Sequence, residues 1–121
     1  MLALALSANA QNGKQLGGMK PEAALTYMQK TANIVIVDVR EPRYIDNYFQ
    51  GSIRIPWTEM GERFNEIPKG RPVILNCGLG RVAPKAYKIL TEKRKDIPEL
   101  SWIDGAPKFD EYNKWLKQQK K

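Results

Sequence analysis

The stretch "NCGLGRVAPKAYKIL", residues 76–90, contains Cys77, the one cysteine of the chain. Cys77 follows an apolar run and precedes a helix that the sequence predicts to open at Pro84. Gly78 and Gly80 permit a tight turn whose backbone N–H groups face inward, and such groups ahead of a helix N-terminus stabilise anions. The loop therefore favours the thiolate form of Cys77, which is the pattern of a sulfur nucleophile.

A lone cysteine is often a buried, inert packing residue, and this interpretation of Cys77 stays open beside the nucleophilic one. The strand-end position, the two glycines and Arg81 favour the nucleophile. The chain has no histidine, so a Cys–His dyad is excluded and activation has to come from backbone dipoles and cations. One cysteine without histidine also falls short of the usual ligand set for zinc, and no metal is expected.

The elements that must position this loop follow from hydrophobic periodicity. Predicted strands cover residues 33–40, 52–56, 71–77 and 100–104. Predicted helices alternate with them: one opening at Pro21, a short one within "PRYIDNYF", one capped by Thr58, one over residues 84–95 and one from residue 107. Strands that are apolar on both faces are typical of a parallel sheet covered by helices. The alternation predicts such an α/β fold, with the active region at the carboxyl ends of the strands.

The 121 residues suit one domain, predicted over residues 14–121. Residues 1–13 stand apart: "LALALSANA" is apolar and ends with the small-x-small spacing that a signal peptidase accepts. This segment predicts the remnant of an export signal and a periplasmic or otherwise exported protein. The alternative is a frayed N-terminus of a cytoplasmic protein. No apolar run approaches the roughly 20 residues of a membrane span, so no membrane span is expected.

The formal net charge of +7 attracts anions. Much of the positive charge lies in "TEKRKD" and in the terminal "KQQKK", which are typical of solvated helix faces and tails. No zinc-finger spacing, aromatic RNA-binding signature or basic-leucine pattern accompanies it, so no nucleic-acid partner is expected.

Three segments, in this order, resemble the single-domain rhodaneses, a family of sulfurtransferases: "VDVREPRYIDNYFQGSIRIPW", "CGLGRVAPKAYKIL" and "IDGAPKF". The resemblance covers residues 15–116. It implies a doubly wound α/β fold with a five-stranded parallel sheet. It also implies that a cysteine takes a sulfane sulfur from a small anionic donor such as thiosulfate and passes it to a thiol or cyanide, with a protein thiol as a further acceptor. The sulfur travels as a covalent cysteine persulfide, and no other cofactor is implied.

Carried onto this sequence, the resemblance makes Cys77 the nucleophile and persulfide carrier. The backbone N–H groups of the following five residues would bind the substrate and stabilise the thiolate or persulfide: Gly78, Leu79, Gly80, Arg81 and Val82. The family often has an arginine where Val82 stands, and here Arg81 precedes that position. The usual histidine and asparagine of the first signature are Tyr48 and Arg54.

Two basic residues are candidates for anion binding: Arg54, near the end of a strand, and Lys85, on the first turn after the loop. A solvent-exposed role is the favoured alternative for Lys85. Asp38 and Arg40 are interpreted as structural, with Arg40 in an ion pair and Asp38 bonded to loop backbone. The tryptophans are interpreted as packing residues, with a place in the pocket wall as an alternative for the first of them: Trp57, Trp102 and Trp115.

Three functions follow from these residues. The main hypothesis is a persulfide-forming sulfurtransferase. A cysteine phosphatase or arsenate reductase is disfavoured, because its Cys-x5-Arg loop would need arginine where this chain has Ala83. A sulfur carrier or binding module without turnover stays open, because the family arginine is absent at Val82.

Overall fold

The computed structural model describes residues 13–119, in which five strands form one sheet. The strands are β1 (Lys14–Met19), β2 (Val35–Asp38), β3 (Ile53–Arg54), β4 (Val73–Asn76) and β5 (Glu99–Ile103). Their order in the sheet is β1-β5-β4-β2-β3, and every neighbouring pair is parallel. The helices are α1 (Pro21–Lys30), α2 (Met60–Arg63), α3 (Ala83–Lys93) and α4 (Phe109–Gln119). The predicted α/β fold with a five-stranded parallel sheet is confirmed.

Helices cover both faces of the sheet, because the side chains of each strand alternate between the faces. On one face α2 and α3 pack on the strands through Val37, Val73, Leu75, Met60 and Leu90. On the other face α1 and α4 pack through Ile36, Ile74, Ile103, Met28 and Tyr112. Two buried apolar layers therefore hold the central strands, and the carboxyl end of β4 is fixed between them.

Strand β1 is the strand that the sequence-based assignment lacked. Its sequence, "KQLGGM", has two glycines and no β-branched residue, so it carries no strand signal. It lies at the edge of the sheet and pairs with β5. Tyr87 Oη accepts the Gly17 N–H at 3.0 Å. A Cβ added at Gly18 would lie 2.7 Å from a ring atom of Trp102, so glycine leaves room for that indole. This segment is a strand because of its tertiary contacts and not because of its local strand propensity.

Two predicted helices are shorter than expected. In the first, only Pro42–Tyr44 forms a 3-10 turn. The backbone that follows is bonded to α4: Asn113 accepts the Gln50 N–H and donates to the Tyr48 carbonyl oxygen, both at 2.8 Å.

The second shortened helix is α2, which is a single turn between the 3-10 turns Trp57–Glu59 and Phe64–Glu66. The predicted cap at Thr58 is wrong: Thr58 lies inside a 3-10 turn, and no side chain caps α2. The Arg94 guanidinium donates hydrogen bonds to the carbonyl oxygens of Phe64 and Ile67, at 2.8 and 2.9 Å. The segment cannot continue as a helix here, because Pro68 lacks the N–H that would bond to the Phe64 carbonyl oxygen.

The predicted export segment lies, apart from Gly13, outside the described residues. Gly13 itself is tied to the domain, since its N–H donates to the Lys95 carbonyl oxygen at 2.9 Å. Within residues 13–119, no helix has the length and apolar character to cross a membrane.

Candidate active site

Cys77 follows the last residue of β4 and lies where the buried core meets a surface pocket. Only 2% of the residue is exposed, and it packs with the apolar layer under α3. It also lines a pocket of about 570 Å³. The Gly80 N–H donates to its Sγ at 3.1 Å. The sulfur is therefore held by the core on one side and faces the pocket on the other.

The turn that aims this N–H is supported from behind. Gly80 has φ +83°, in the left-handed region that favours glycine. A Cβ added there would lie 2.6 Å from the backbone nitrogen of Gly105, so the loop and the turn after β5 touch backbone to backbone. That turn is anchored by Asp104, whose N–H donates to the Met19 carbonyl oxygen at 2.7 Å and whose carboxylate pairs with Lys20 at 2.9 Å. Gly105 is thus a positioning residue that the sequence analysis did not single out.

The five predicted cradle residues contribute unequally. Within residues 13–119, Gly80 provides the hydrogen bond to Sγ, and no bond joins Sγ to the other four N–H groups. Val82 already has helix-like angles as the residue before α3. The sulfur lies at the start of the loop, so the turn at Gly80 reaches it and the end of the loop does not.

The pocket has an apolar wall and a charged wall. Leu79 is 61% exposed at its rim. The Nζ atom of Lys85 lies 4.6 Å from the centroid of the Trp57 ring, so Lys85 adjoins the wall without lining the pocket. The lining residues are Arg40, Glu41, Trp57, Cys77, Gly78, Leu79, Arg81 and Val82.

Arg40 and Asp38 form a buried ion pair at the end of β2. The Asp38 carboxylate, 1% exposed, accepts the Arg40 backbone N–H at 3.1 Å and its guanidinium at 2.6 Å. Arg40 also donates to the Asn47 carbonyl oxygen at 2.6 Å and lies over the Phe109 ring. Arg40 is therefore committed to holding the loop after β2, although one side of it lines the pocket.

Arg54 is not brought to the pocket lining. It is exposed at the end of the edge strand β3, and β2 stands between β3 and β4 in the sheet. The sequence shows that Arg54 is near a strand end, but it does not show the order of the strands, so the distance of Arg54 from the pocket could not be predicted. The other two tryptophans pack on opposite faces of the sheet, Trp102 on the side of α3 and Trp115 on the side of α1.

Some of the positive side chains at this end of the sheet have carboxylate partners and others have none among the residues described. Four cations at this end of the sheet have carboxylate partners: Lys20, Arg40, Arg43 and Lys108. Within the described part of the chain, no ion pair involves Arg81 or Lys85, and both are exposed. These two positive charges are therefore available to an anion.

Glu41 is the site residue that sequence reasoning missed. It lines the pocket beside Arg40, and its side chain is 38% exposed. The one available signal was its place directly after a strand end and before Pro42, where a loop must turn across the sheet edge.

Comparisons with known proteins agree with this arrangement. Residues 21–118 match the family model described as "Rhodanese-like domain". No curated protein sequence matches the chain. A rhodanese from E. coli, solved with anions, is 28% identical, with 61% of this chain and 86% of that chain covered and a TM-score of 0.50.

Two further solved structures share the fold. A rhodanese-like domain protein from Staphylococcus aureus has a TM-score of 0.63 and 17% identity, over 75% of this chain and 87% of that one. A protein from Rhodopseudomonas palustris, described as a "Possible Tyrosine Phosphatase", has a TM-score of 0.61 and 17% identity, over 95% and 89%. Since the family model spans most of the chain and the carboxyl end of β4 carries the cysteine loop, the chain belongs to the rhodanese-like domain family.

Proposed function

We propose that the protein is a sulfurtransferase that takes a sulfane sulfur from an anionic donor such as thiosulfate and passes it on through a Cys77 persulfide. The observation that carries the proposal is the contact of the Gly80 N–H with Sγ at the floor of an open pocket. A thiolate accepts such a bond more strongly than a thiol, because a charged acceptor makes the stronger hydrogen bond.

In the loading step, the Cys77 thiolate attacks the outer sulfur of thiosulfate. The S–S bond of the donor breaks, its electron pair leaves with sulfite, and the outer sulfur stays on Cys77 as a persulfide. Arg81, which lines the pocket without a carboxylate partner, is the group suited to the departing sulfite. Lys85 adds positive potential at the Trp57 wall. The step needs no general base, which suits a chain without histidine.

Phosphate chemistry is less well supported. The five residues between Cys77 and α3 place Ala83 at the first position of the helix, where a cysteine phosphatase would have its arginine. The likeness to the R. palustris protein is at 17% identity and concerns the fold alone.

A sulfur carrier that loads once and discharges to one partner is the second candidate. Two observations favour it: Val82 stands where many rhodaneses have arginine, and Cys77 is almost fully buried. Repeated turnover with cyanide distinguishes the enzyme from the carrier.

The direct test is intact mass spectrometry after incubation with thiosulfate. We expect a mass increase of about 32 Da, one sulfur atom, together with an equal amount of sulfite. The Cys77→Ser variant is the control and should gain no mass. A wild-type protein that neither gains the sulfur nor releases sulfite would contradict the proposal.

A further inference from the structure

We propose that the sulfur acceptor is a small zwitterionic thiol of the amino-acid type, whose ammonium group binds Glu41 and whose carboxylate binds Arg81. The inference rests on the proposed sulfurtransferase function and specifies its second substrate. It follows from the two opposite charges in the lining of the pocket, to which Cys77 also contributes.

Three charged residues line the pocket: Arg40, Glu41 and Arg81. Arg40 is committed, because its guanidinium bonds to Asp38 and to the Asn47 carbonyl oxygen. Arg81 has no ion pair among residues 13–119, and Glu41 has a solvent-exposed one with Arg43, so one guanidinium and one carboxylate can bind a ligand. A ligand that satisfies both carries one positive and one negative group.

Glu41 is accessible to such a ligand. Its Oε2 atom lies 3.2 Å from the Nε atom of Arg43, whose side chain is 72% exposed. An ion pair this open to solvent is weak, typically about 0–1 kcal/mol, so an incoming ammonium group can share the carboxylate. Arg81 is exposed as well and has no ion pair within residues 13–119.

The donor does not account for Glu41. A carboxylate in the pocket lining repels a doubly charged anion such as thiosulfate and makes loading slower. The pocket, at about 570 Å³, is also of the size that takes organic ligands, for which roughly 300–1,000 Å³ is typical. Trp57 and Val82 supply an apolar surface for the carbon atoms of such a thiol. Glu41 and this surface fit the acceptor, whereas Arg81 serves both substrates.

In the discharge step, the acceptor thiolate attacks the outer sulfur of the Cys77 persulfide. The S–S bond to Cys77 breaks and its electron pair stays on Sγ, so Cys77 returns to the thiolate. The acceptor is oxidised from thiol to persulfide while the Cys77 persulfide is reduced, and the proton lost by the acceptor thiol ends on the new persulfide. No external oxidant or reductant takes part.

The test uses the full chain, loaded with thiosulfate, freed of excess donor and checked for the gain of about 32 Da, one sulfur atom. Discharge is then timed with four thiols at equal thiolate concentration: L-cysteine, cysteamine, 3-mercaptopropionate and 2-mercaptoethanol. Each rate is expressed relative to the rate of the same thiolate with a small disulfide, because thiolates differ in intrinsic nucleophilicity. Cysteamine lacks the carboxylate, 3-mercaptopropionate lacks the ammonium group, and 2-mercaptoethanol lacks both. We expect L-cysteine to discharge the protein fastest, by roughly threefold or more over 2-mercaptoethanol, as for one or two exposed ion pairs.

Two variants test which side chain binds the ammonium group of the acceptor and which binds its carboxylate. Glu41→Gln should slow discharge by L-cysteine and cysteamine and leave 3-mercaptopropionate unchanged. Arg81→Gln should slow L-cysteine and 3-mercaptopropionate and leave cysteamine unchanged. Glu41→Gln should also accelerate loading by thiosulfate, since it removes a repulsion; a merely structural role of Glu41 would slow both steps.

The outcomes separate the two proposals. A protein that gains no sulfur overturns the sulfurtransferase function and this inference with it. A protein that loads but is discharged equally fast by all four thiols overturns the inference alone, and so does a Glu41→Gln variant that slows all four alike. If a variant fails to fold, the comparison of the four thiols on the unaltered protein still tests the inference.

Discussion

The backbone N–H of Gly80 lies 3.1 Å from the Sγ atom of Cys77, and the same glycine touches the backbone of Gly105 on its other side. The donor to the sulfur is thus fixed by two glycines that belong to different loops. Because Gly80 and Gly105 meet backbone to backbone, the position of the N–H depends on the backbone of both turns.

Replacing Gly80 by alanine tests this relationship. The left-handed φ of +83° disfavours alanine by about 1 kcal/mol, and the new Cβ would lie 2.6 Å from the Gly105 nitrogen. The loop must shift, and we expect persulfide formation to slow by roughly tenfold or more, because the reactive thiolate form of Cys77 loses a charge-assisted hydrogen bond that stabilises it. The rate of the mass increase with thiosulfate measures the effect.

Gly51→Ala is the matched control. Gly51 has φ +85° and nothing within 4 Å of its added Cβ, so alanine meets the same backbone strain far from the loop. Its loading rate should equal that of the unaltered protein. Equal losses in the two variants would mean that strain alone, and not the position of the Gly80 N–H, sets the rate.

We expect Arg81, but not Arg54, to affect the rate at which thiosulfate loads Cys77. Arg81→Gln removes an uncompensated charge from the pocket lining, so we expect thiosulfate loading to slow by roughly threefold to tenfold and to depend less on ionic strength. Arg54→Gln removes an exposed charge of the same kind outside the lining and should leave loading nearly unchanged. Stopped-time mass spectrometry at two salt concentrations makes the comparison; similar effects of both changes would contradict a local role of Arg81.

The stability that Asp96 contributes should depend on pH. Hydrogen bonds from the Arg94 guanidinium hold the pKa of the Asp96 carboxyl below its usual range. The unfolded chain therefore binds this proton more readily, so the contribution is present above about pH 4, the ordinary range of aspartate, and is lost as the pH falls through the lower folded pKa.

Asp96→Asn should accordingly lower the free energy of unfolding at pH 7 by at most about 1 kcal/mol, since the Asp96 side chain is 43% exposed. Urea denaturation at pH 7 and near pH 3 measures the difference from the unaltered protein. The difference should shrink at the lower pH. A difference that stays constant would show that the ion pair is not its origin.

Ser101 lies on β5 in the buried layer, and its Oγ atom finds no hydrogen-bond partner among residues 13–119. Burying a hydroxyl group without a partner is unfavourable, so Ser101→Ala should raise the free energy of unfolding by about 1 kcal/mol. Thermal and urea denaturation measure the change. A clear loss of stability would show that the hydroxyl group has a stabilising partner.

The sequence predicted those parts of the fold that local pattern determines. The continuous apolar runs of β2 and β4 identified the central strands, and the loop after β4 identified Cys77. The glycine-rich β1 gave no such signal, because it is a strand by virtue of its pairing with β5. Thr58 looked like a helix cap, but it lies inside a 3-10 turn and no side chain in the described part of the chain caps α2.

The same limit applies to the pocket. Arg54 and Glu41 both stand next to strand ends, and which of them lines the pocket together with Cys77 depends on the order of the strands in the sheet. Strand β2 precedes the loop of Glu41 and lies beside β4, whereas β3 lies one strand further out. That order arises from crossovers and packing, which no short stretch of sequence encodes.

The pairing of β1 with β5 has a consequence for how the chain matures on the ribosome. Strand β1 is synthesised long before β5, its neighbour in the sheet, so it waits unpaired while most of the domain emerges. The turn of Asp104 and Gly105, which backs Gly80, emerges later still. A nascent chain can therefore carry Cys77 for some time without the support that aims an N–H at its sulfur, and sulfur reactivity should arise only as translation of the domain nears completion.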